Sequence, residues 1–202
     1  MNFLGHCLIT QFNPEFLAGN IGGDHFKGDL NLFSDTPDNI LKGVEIHRFI
    51  DSFTDSSSHI QKVARIFQDG GIKRISYIAS DIILDHFISR NWSVLSPIPL
   101  PHFIQSIHQT TTAALNFFPE KFQYIFGKMV EKKWLSRYIS EDGIELTLFK
   151  FEQRIPFKNN LHASFQVYKK NQDEIDDLYR LFMIDIMATV NEKFKLNLSE
   201  PE

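Results

Sequence analysis

His6, Asp24, His25, His47, Asp51, Asp55, Asp81, Asp85 and His86 all fall within the first ninety residues. Imidazole and carboxylate together are the donor set that a hard to borderline divalent cation such as Mn²⁺ or Fe²⁺ takes. His47 and Asp51 stand four apart, so on a helix their heads are neighbours and can reach one ion. The same pair also reads as a surface His–Asp contact worth a few tenths of a kcal/mol. Asp81 and Asp85 repeat that spacing in a more apolar setting, and His86 projects about 100° away from Asp85. A buried carboxylate is costly unless it is paired or bound to metal. Asp85 and His86 are therefore either ligands or, alternatively, a core His held by a backbone carbonyl and an Asp paired with Arg74 or Arg90. Asp24 lies in Gly19-Asn20-Ile21-Gly22-Gly23-Asp24-His25-Phe26-Lys27-Gly28, where four glycines permit close backbone approach and a loop able to cradle an anion. Such stretches also serve merely as turns. His6 sits in an apolar stretch and reads by itself as a buried structural His.

The elements that must position these groups have a helical period. Ile46, Phe49, Ile50 and Phe53 recur at i, i+3, i+4 and i+7 between Pro37 and Asp55, with His47, Asp51 and Thr54 on the border of that stripe. Ile75, Ile78, Ala79, Ile82, Ile83, Leu84, Phe87 and Ile88 cover nearly the whole circumference of a helix within Ile72 to Trp92, which predicts a central, buried element. Phe103 to Phe118, Lys121 to Arg137 and Asp173 to Leu196 continue the pattern, and strand-like alternation is scarce. Short breaks at Asn13-Pro14, Gly19 to Gly28, Thr36-Pro37, Gly70-Gly71, Ser96 to Pro101, Pro119, Gly127, Asp142-Gly143 and Pro156 divide the chain without any linker. The expected fold is all-α, a single domain over residues 1–202 with about seven to nine helices.

Composition agrees. The 202 residues are 43 % hydrophobic and 23 % charged, with only 10 Gly and 8 Pro, so fibrous, low-complexity and disordered classes are excluded. Twenty Phe supply apolar rings that need no polar partner. The single Cys7 forms no internal disulfide, Met1 to Gln11 fits neither a signal peptide nor a spanning helix, and a cytoplasmic protein with no membrane association is expected. A net charge of −4 gives no global attraction to nucleic acid, and no nucleic-acid partner is expected. Locally the balance reverses: Lys121 to Arg137 carries Lys121, Lys128, Lys132, Lys133 and Arg137 against Glu131 alone. That segment is either a steering surface for an acidic partner or a solvated helix face. GxxxxGK[ST], GxGxxG, HExxH and GxSxG are all absent, which removes the commonest nucleotide-binding and protease classes.

Three stretches carry a family resemblance. They are Met1-Asn2-Phe3-Leu4-Gly5-His6 with Gly19-Asn20, Gly23-Asp24 and Lys27-Gly28; Gly43-Val44-Glu45-Ile46-His47-Arg48-Phe49-Ile50-Asp51 with Phe53-Thr54-Asp55; and Asp85-His86-Phe87 with Arg90, Asn91 and Trp92. The chain resembles the acyl carrier protein phosphodiesterases, also called acyl carrier protein hydrolyases. Its specific motifs end at residue 92, and position 5 holds Gly where that family leads one to expect Ala. The resemblance implies a helical fold related to the HD-domain metal phosphohydrolases. It also implies hydrolysis of the phosphodiester that joins 4′-phosphopantetheine to a serine of acyl carrier protein. By the same resemblance the cofactor is a divalent ion, Mn²⁺ by preference, and the candidate ligand and catalytic set is His6, Asp24, His47, Asp51, Asp85 and His86. Asp24 is the expected water-directing carboxylate, and Lys27 and Arg48 the phosphate contacts. An HD dyad runs His then Asp, whereas Asp85 precedes His86 here, so ligand roles do not transfer one by one. Alternatives are an HD-like phosphohydrolase acting on a nucleotide or other small phosphodiester, and a non-catalytic carrier-protein-binding module. A di-iron bundle ranks last because its Glu-x-x-His pairs are missing. Oligomeric state is not readable from the sequence.

Overall fold

The computed structural model describes residues 1–198, which form twelve α-helices and no strand. In chain order they are α1 (Phe3–Ile9), α2 (Pro14–Gly22), α3 (Asp38–Ser56), α4 (Ser58–Asp69), α5 (Ser76–Arg90), α6 (Trp92–Leu95), α7 (Leu100–Ala113), α8 (Glu120–Glu131), α9 (Trp134–Arg137), α10 (Glu141–Glu152), α11 (Ser164–Lys170) and α12 (Gln172–Phe194). Eight of these have nine residues or more; α3, α5, α7, α8 and α12 fall on the five periodic runs, and α2, α4 and α10 with the short helices α1, α6, α9 and α11 bring the count above seven to nine. The all-α expectation holds, and a single apolar cluster joins side chains from α1 through α12.

α5 is the central helix its sequence predicts: every residue from Ile82 to Ser89 is buried. Its exposed residues are Tyr77 and Ile78 near the start and Arg90 at the end. α2 and α3 cross in close backbone contact. A Cβ on Gly19 would lie 1.9 Å from the Ile40 carbonyl oxygen, and one on Gly43 would lie 2.3 Å from that of Phe16, so only glycine lets the two backbones meet.

Several expectations need correction. Gly127 lies inside α8, and Asp142-Gly143 lies in the first turn of α10, so neither breaks the chain. Gly19 to Gly28 is not a loop throughout: α2 runs to Gly22, and Gly23–His25 forms one 3₁₀ turn. Only Gly28 in that stretch has a positive φ. Lys121 to Arg137 is not one helix either, because Lys133 adopts the left-handed conformation (φ 51°) and separates α8 from α9.

Candidate metal centre

Three helices bring the central groups together. His6 comes from α1, His47 and Asp51 from successive turns of α3, and α2 lies between them with Asn20 fully buried. The two imidazoles stack with centroids 4.2 Å apart. Asp51 bridges them: Oδ1 lies 3.1 Å from His6 Nε2 and Oδ2 lies 3.2 Å from His47 Nε2. His47 Nε2 is nevertheless out of line for a hydrogen bond and is left buried without a partner. One donor atom from each of His6, His47 and Asp51 falls within 4.8 Å of the other two. An orphaned buried nitrogen facing a carboxylate and a second imidazole is what a divalent cation would complete, and the N/O donor set suits Mn²⁺ or Fe²⁺.

The orientation of both rings is set from behind. Asn20 Nδ2 donates to the His6 carbonyl oxygen (2.6 Å) and to Thr10 Oγ1 (3.3 Å). Its Oδ1 lies 3.2 Å from His6 Nδ1, and its backbone oxygen lies 2.7 Å from His47 Nδ1. In a neutral ring either acceptor would select the Nδ1–H tautomer and direct Nε2 towards Asp51, the outer-shell arrangement that orients ligating histidines. Asn20 was quoted in the sequence only as part of a motif. The signal it offers is a lone amide among the apolar residues of the second half of α2.

Electrostatics divide the two rings. Burial pushes the His6 imidazole down to about 4, and the charge of His47 adds to this. Burial also opposes charge on His47, but Asp24 and Asp51 outweigh it and raise that ring to about 9. Asp51 is held below the ordinary carboxylate range, the attraction of His47 and His6 overcoming its burial. The pair thus carries one positive charge against Asp51, which a divalent ion would displace as it binds.

Asp24 stands at the open side, exposed, with Oδ1 3.9 Å from His47 Nε2 and 3.5 Å from Lys27 Nζ. The His47 charge draws it down to about 2, so it is ionised at neutral pH. Gly23 lets the turn lie on the His47 ring, since a Cβ there would be 2.4 Å from the ring carbon Cγ. Lys27 is exposed, whereas Arg48 Nη2 donates to the Phe26 carbonyl oxygen (2.8 Å) and thereby ties the segment after Asp24 to α3.

The structure does not bring Asp85 or His86 into this group. Both Asp85 oxygens accept backbone N–H groups at the start of α1, Leu4 at 2.9 Å and Gly5 at 3.0 Å. Burial raises its carboxyl to about 7 against those two bonds. His86 Nδ1 lies 2.6 Å from the Tyr138 carbonyl oxygen, and its ring packs against Phe165 and Tyr168, the core-histidine alternative. Among the described residues neither Asp81 nor Asp85 pairs with an arginine: Arg90 pairs with Asp176, Arg74 lies over the Phe157 ring, and Asp81 pairs with the Met1 amino group at 3.0 Å. His25 packs against Phe122 outside the cluster, and Asp55 is exposed at the end of α3.

Fold and site together define an all-helical protein whose first three helices build a two-histidine, one-carboxylate site fit for a divalent ion. The chain belongs to the acyl carrier protein phosphodiesterase family, which it matches over residues 1–186. Acyl carrier protein phosphodiesterases of Enterobacter sp. (strain 638), Klebsiella pneumoniae (strain 342) and Yersinia pestis are each 29 % identical to it over 194 residues, covering 96 % of this chain and 99 % of theirs. No solved structure matches the chain.

Proposed function

We propose that the protein is a metal-dependent phosphodiester hydrolase that removes 4′-phosphopantetheine from a serine of acyl carrier protein, leaving the apo carrier protein. The observation that carries this reading is the His6, His47, Asp51 cluster, with one buried nitrogen unpartnered, in a chain of this family. His6, His47 and Asp51 would hold the ion, which when bound polarises phosphoryl oxygens and acidifies a water. Manganese is the preferred ion and iron(II) the second. Asp24, ionised at the open side beside His47 and Lys27, would orient the attacking water or accept its proton. Lys27 beside it offsets charge on the phosphoryl group. Arg48 is placed to contact substrate only through the part of its guanidinium not committed to Phe26. Asp85 and His86, first expected as ligands, enter this reading as supports of α1 and of the α5 core.

The kinship with HD-domain phosphohydrolases belongs to the same reading and is supported by the all-α fold. A cytoplasmic location does too; among the described residues no helix is long and apolar enough to cross a membrane. The test is direct. Holo acyl carrier protein incubated with the purified protein and Mn²⁺ should lose the mass of phosphopantetheine, and a chelator should stop the reaction. Turnover undiminished by exhaustive chelation, with no metal in elemental analysis, would refute the metal-dependent reading. A small phosphodiester or nucleotide cleaved in preference to the carrier protein would support the alternative substrate.

A further inference from the structure

A groove of about 620 Å³ opens between α8, α9 and α10 and ends against α1. Its floor is apolar, with Phe3, Tyr124, Trp134 and Phe151 contributing large side chains, and Tyr124 is 69 % exposed. Its rim is cationic: Lys128 and Lys132 from α8 and the turn after it, Arg137 from α9, Lys150 and Arg154 from α10 and the turn after it. No carboxylate lines it among the described residues. Glu131, just outside, pairs with both Lys128 (2.7 Å) and Lys132 (2.6 Å), so it offsets one of those charges and leaves the other. Arg137, Lys150 and Arg154 have no ion-pair partner among the described residues, and the Arg154 guanidinium carbon lies over the Trp134 ring (5.2 Å to its centroid) and the Phe151 ring (5.5 Å). The sequence offered only the α8–α9 half of this cluster; the fold adds α10.

We infer that this groove is the docking site for an acidic amphipathic helix of a protein partner. Apolar side chains of that helix would enter the aromatic floor while its carboxylates face the rim. Charge complementarity is the argument: the chain as a whole is negative, yet this face is positive around an apolar centre. A nucleic acid or an anionic bilayer would meet the repulsion of the remaining surface, whereas a single helix covers only the groove. Position agrees with function. Phe3 lies three residues before His6 on α1, one turn or about 5 Å along the axis, so a docked partner sits beside the metal centre. That the partner is the carrier protein rests on the function proposed above; that it is acidic rests on the groove alone.

The double variant Lys132→Glu with Lys150→Glu, and separately Tyr124→Ser, change exposed side chains only. At low salt the charge variant should raise KM for holo acyl carrier protein about tenfold or more, with kcat held. The gap should close near 1 M salt, where the Debye length falls to about 3 Å. Tyr124→Ser should raise KM at every salt concentration. Hydrolysis of bis(p-nitrophenyl) phosphate should be the same in all three proteins. If both variants keep the wild-type KM, the docking inference is wrong while the proposed function stands. If the wild type hydrolyses no carrier protein, the proposed function falls, and binding of the apo carrier protein then decides docking: weaker binding by the variants supports it, equal or absent binding overturns it. Groove-dependent sedimentation with phosphatidylglycerol vesicles, without carrier-protein binding, overturns it in favour of a lipid surface.

Discussion

At the scale of single residues, the proposed site separates groups that would hold an ion from groups that would act beside it. Asp51 touches both buried imidazoles, so Asp51→Asn should lose bound metal and activity together. Asp24 touches the cluster only at 3.9 Å and is exposed. Asp24→Asn cannot take a proton at neutral pH, and turnover should fall by about 10² to 10⁴ while metal content and melting temperature stay near those of the wild type. Elemental analysis, kinetics and thermal melting on one preparation check both; loss of metal in Asp24→Asn would move it among the ligands. Asn20 is a positioning residue. Replacing it with Leu removes the Asn20 amide from the His6 Nδ1–H and the His6 carbonyl oxygen in a buried space. Metal affinity should drop about 10- to 100-fold, as for other outer-shell partners of ligating histidines. Calorimetric titration with Mn²⁺ measures this without relying on turnover.

At the scale of elements, α1 is the weak member that the site depends on. A helix of seven residues gains little from its own propagation, and its first N–H groups need acceptors. Asn2 accepts from Phe3 N, and Asp85 accepts from Leu4 and Gly5, so a carboxylate on the central helix anchors the turn that carries His6. Asp85→Asn keeps one acceptor but turns an amide N–H₂ towards a backbone N–H. The cost should be about 1–3 kcal/mol, or roughly 2–12 °C in Tm for a chain of this size. If Asp85 were instead a ligand, the same variant would lose metal with little change in Tm, so the two measurements separate the roles. Sequence reading recognised that a carboxylate so deep needs a partner, but not that the partner would be backbone. Helical periodicity names neighbours along one helix, which is why His47 and Asp51 were legible as a pair. It carries no information about which helix end abuts α5, and so could not place His6 over Asp51 or remove Asp85 and His86. The long helices were legible for the same reason that the break at Lys133 was not: apolar spacing continues through it, and a left-handed lysine leaves no compositional mark.

At the scale of the molecule, charge is distributed so that opposite needs are met on one small surface. The protein is acidic overall, its candidate metal centre holds ionised Asp24 and Asp51, and the groove next to α1 is cationic. The first favours solubility, the second a cation, the third an acidic partner. Stability of the metal-free protein should register this arrangement through His47. Its pKa is raised from an ordinary 6.5 to about 9 because two carboxylates outweigh its burial. A raised folded-state pKa means that the folded protein binds the proton more tightly than the unfolded chain does. The stabilisation is therefore complete below pH 6.5 and fades as pH rises through about 9. His47→Gln removes this proton and keeps a polar side chain of similar reach. In chelated samples the Tm advantage of wild type over His47→Gln should be largest at pH 6 and decline steadily to pH 10. A difference that stays flat across that range would mean that the ring is neutral in the folded protein, and that Asp24 and Asp51 exert no net hold on it. Saturating Mn²⁺ should reverse the trend. Binding then requires the neutral ring, so the metal-induced rise in Tm of the wild type should grow as pH increases towards 9.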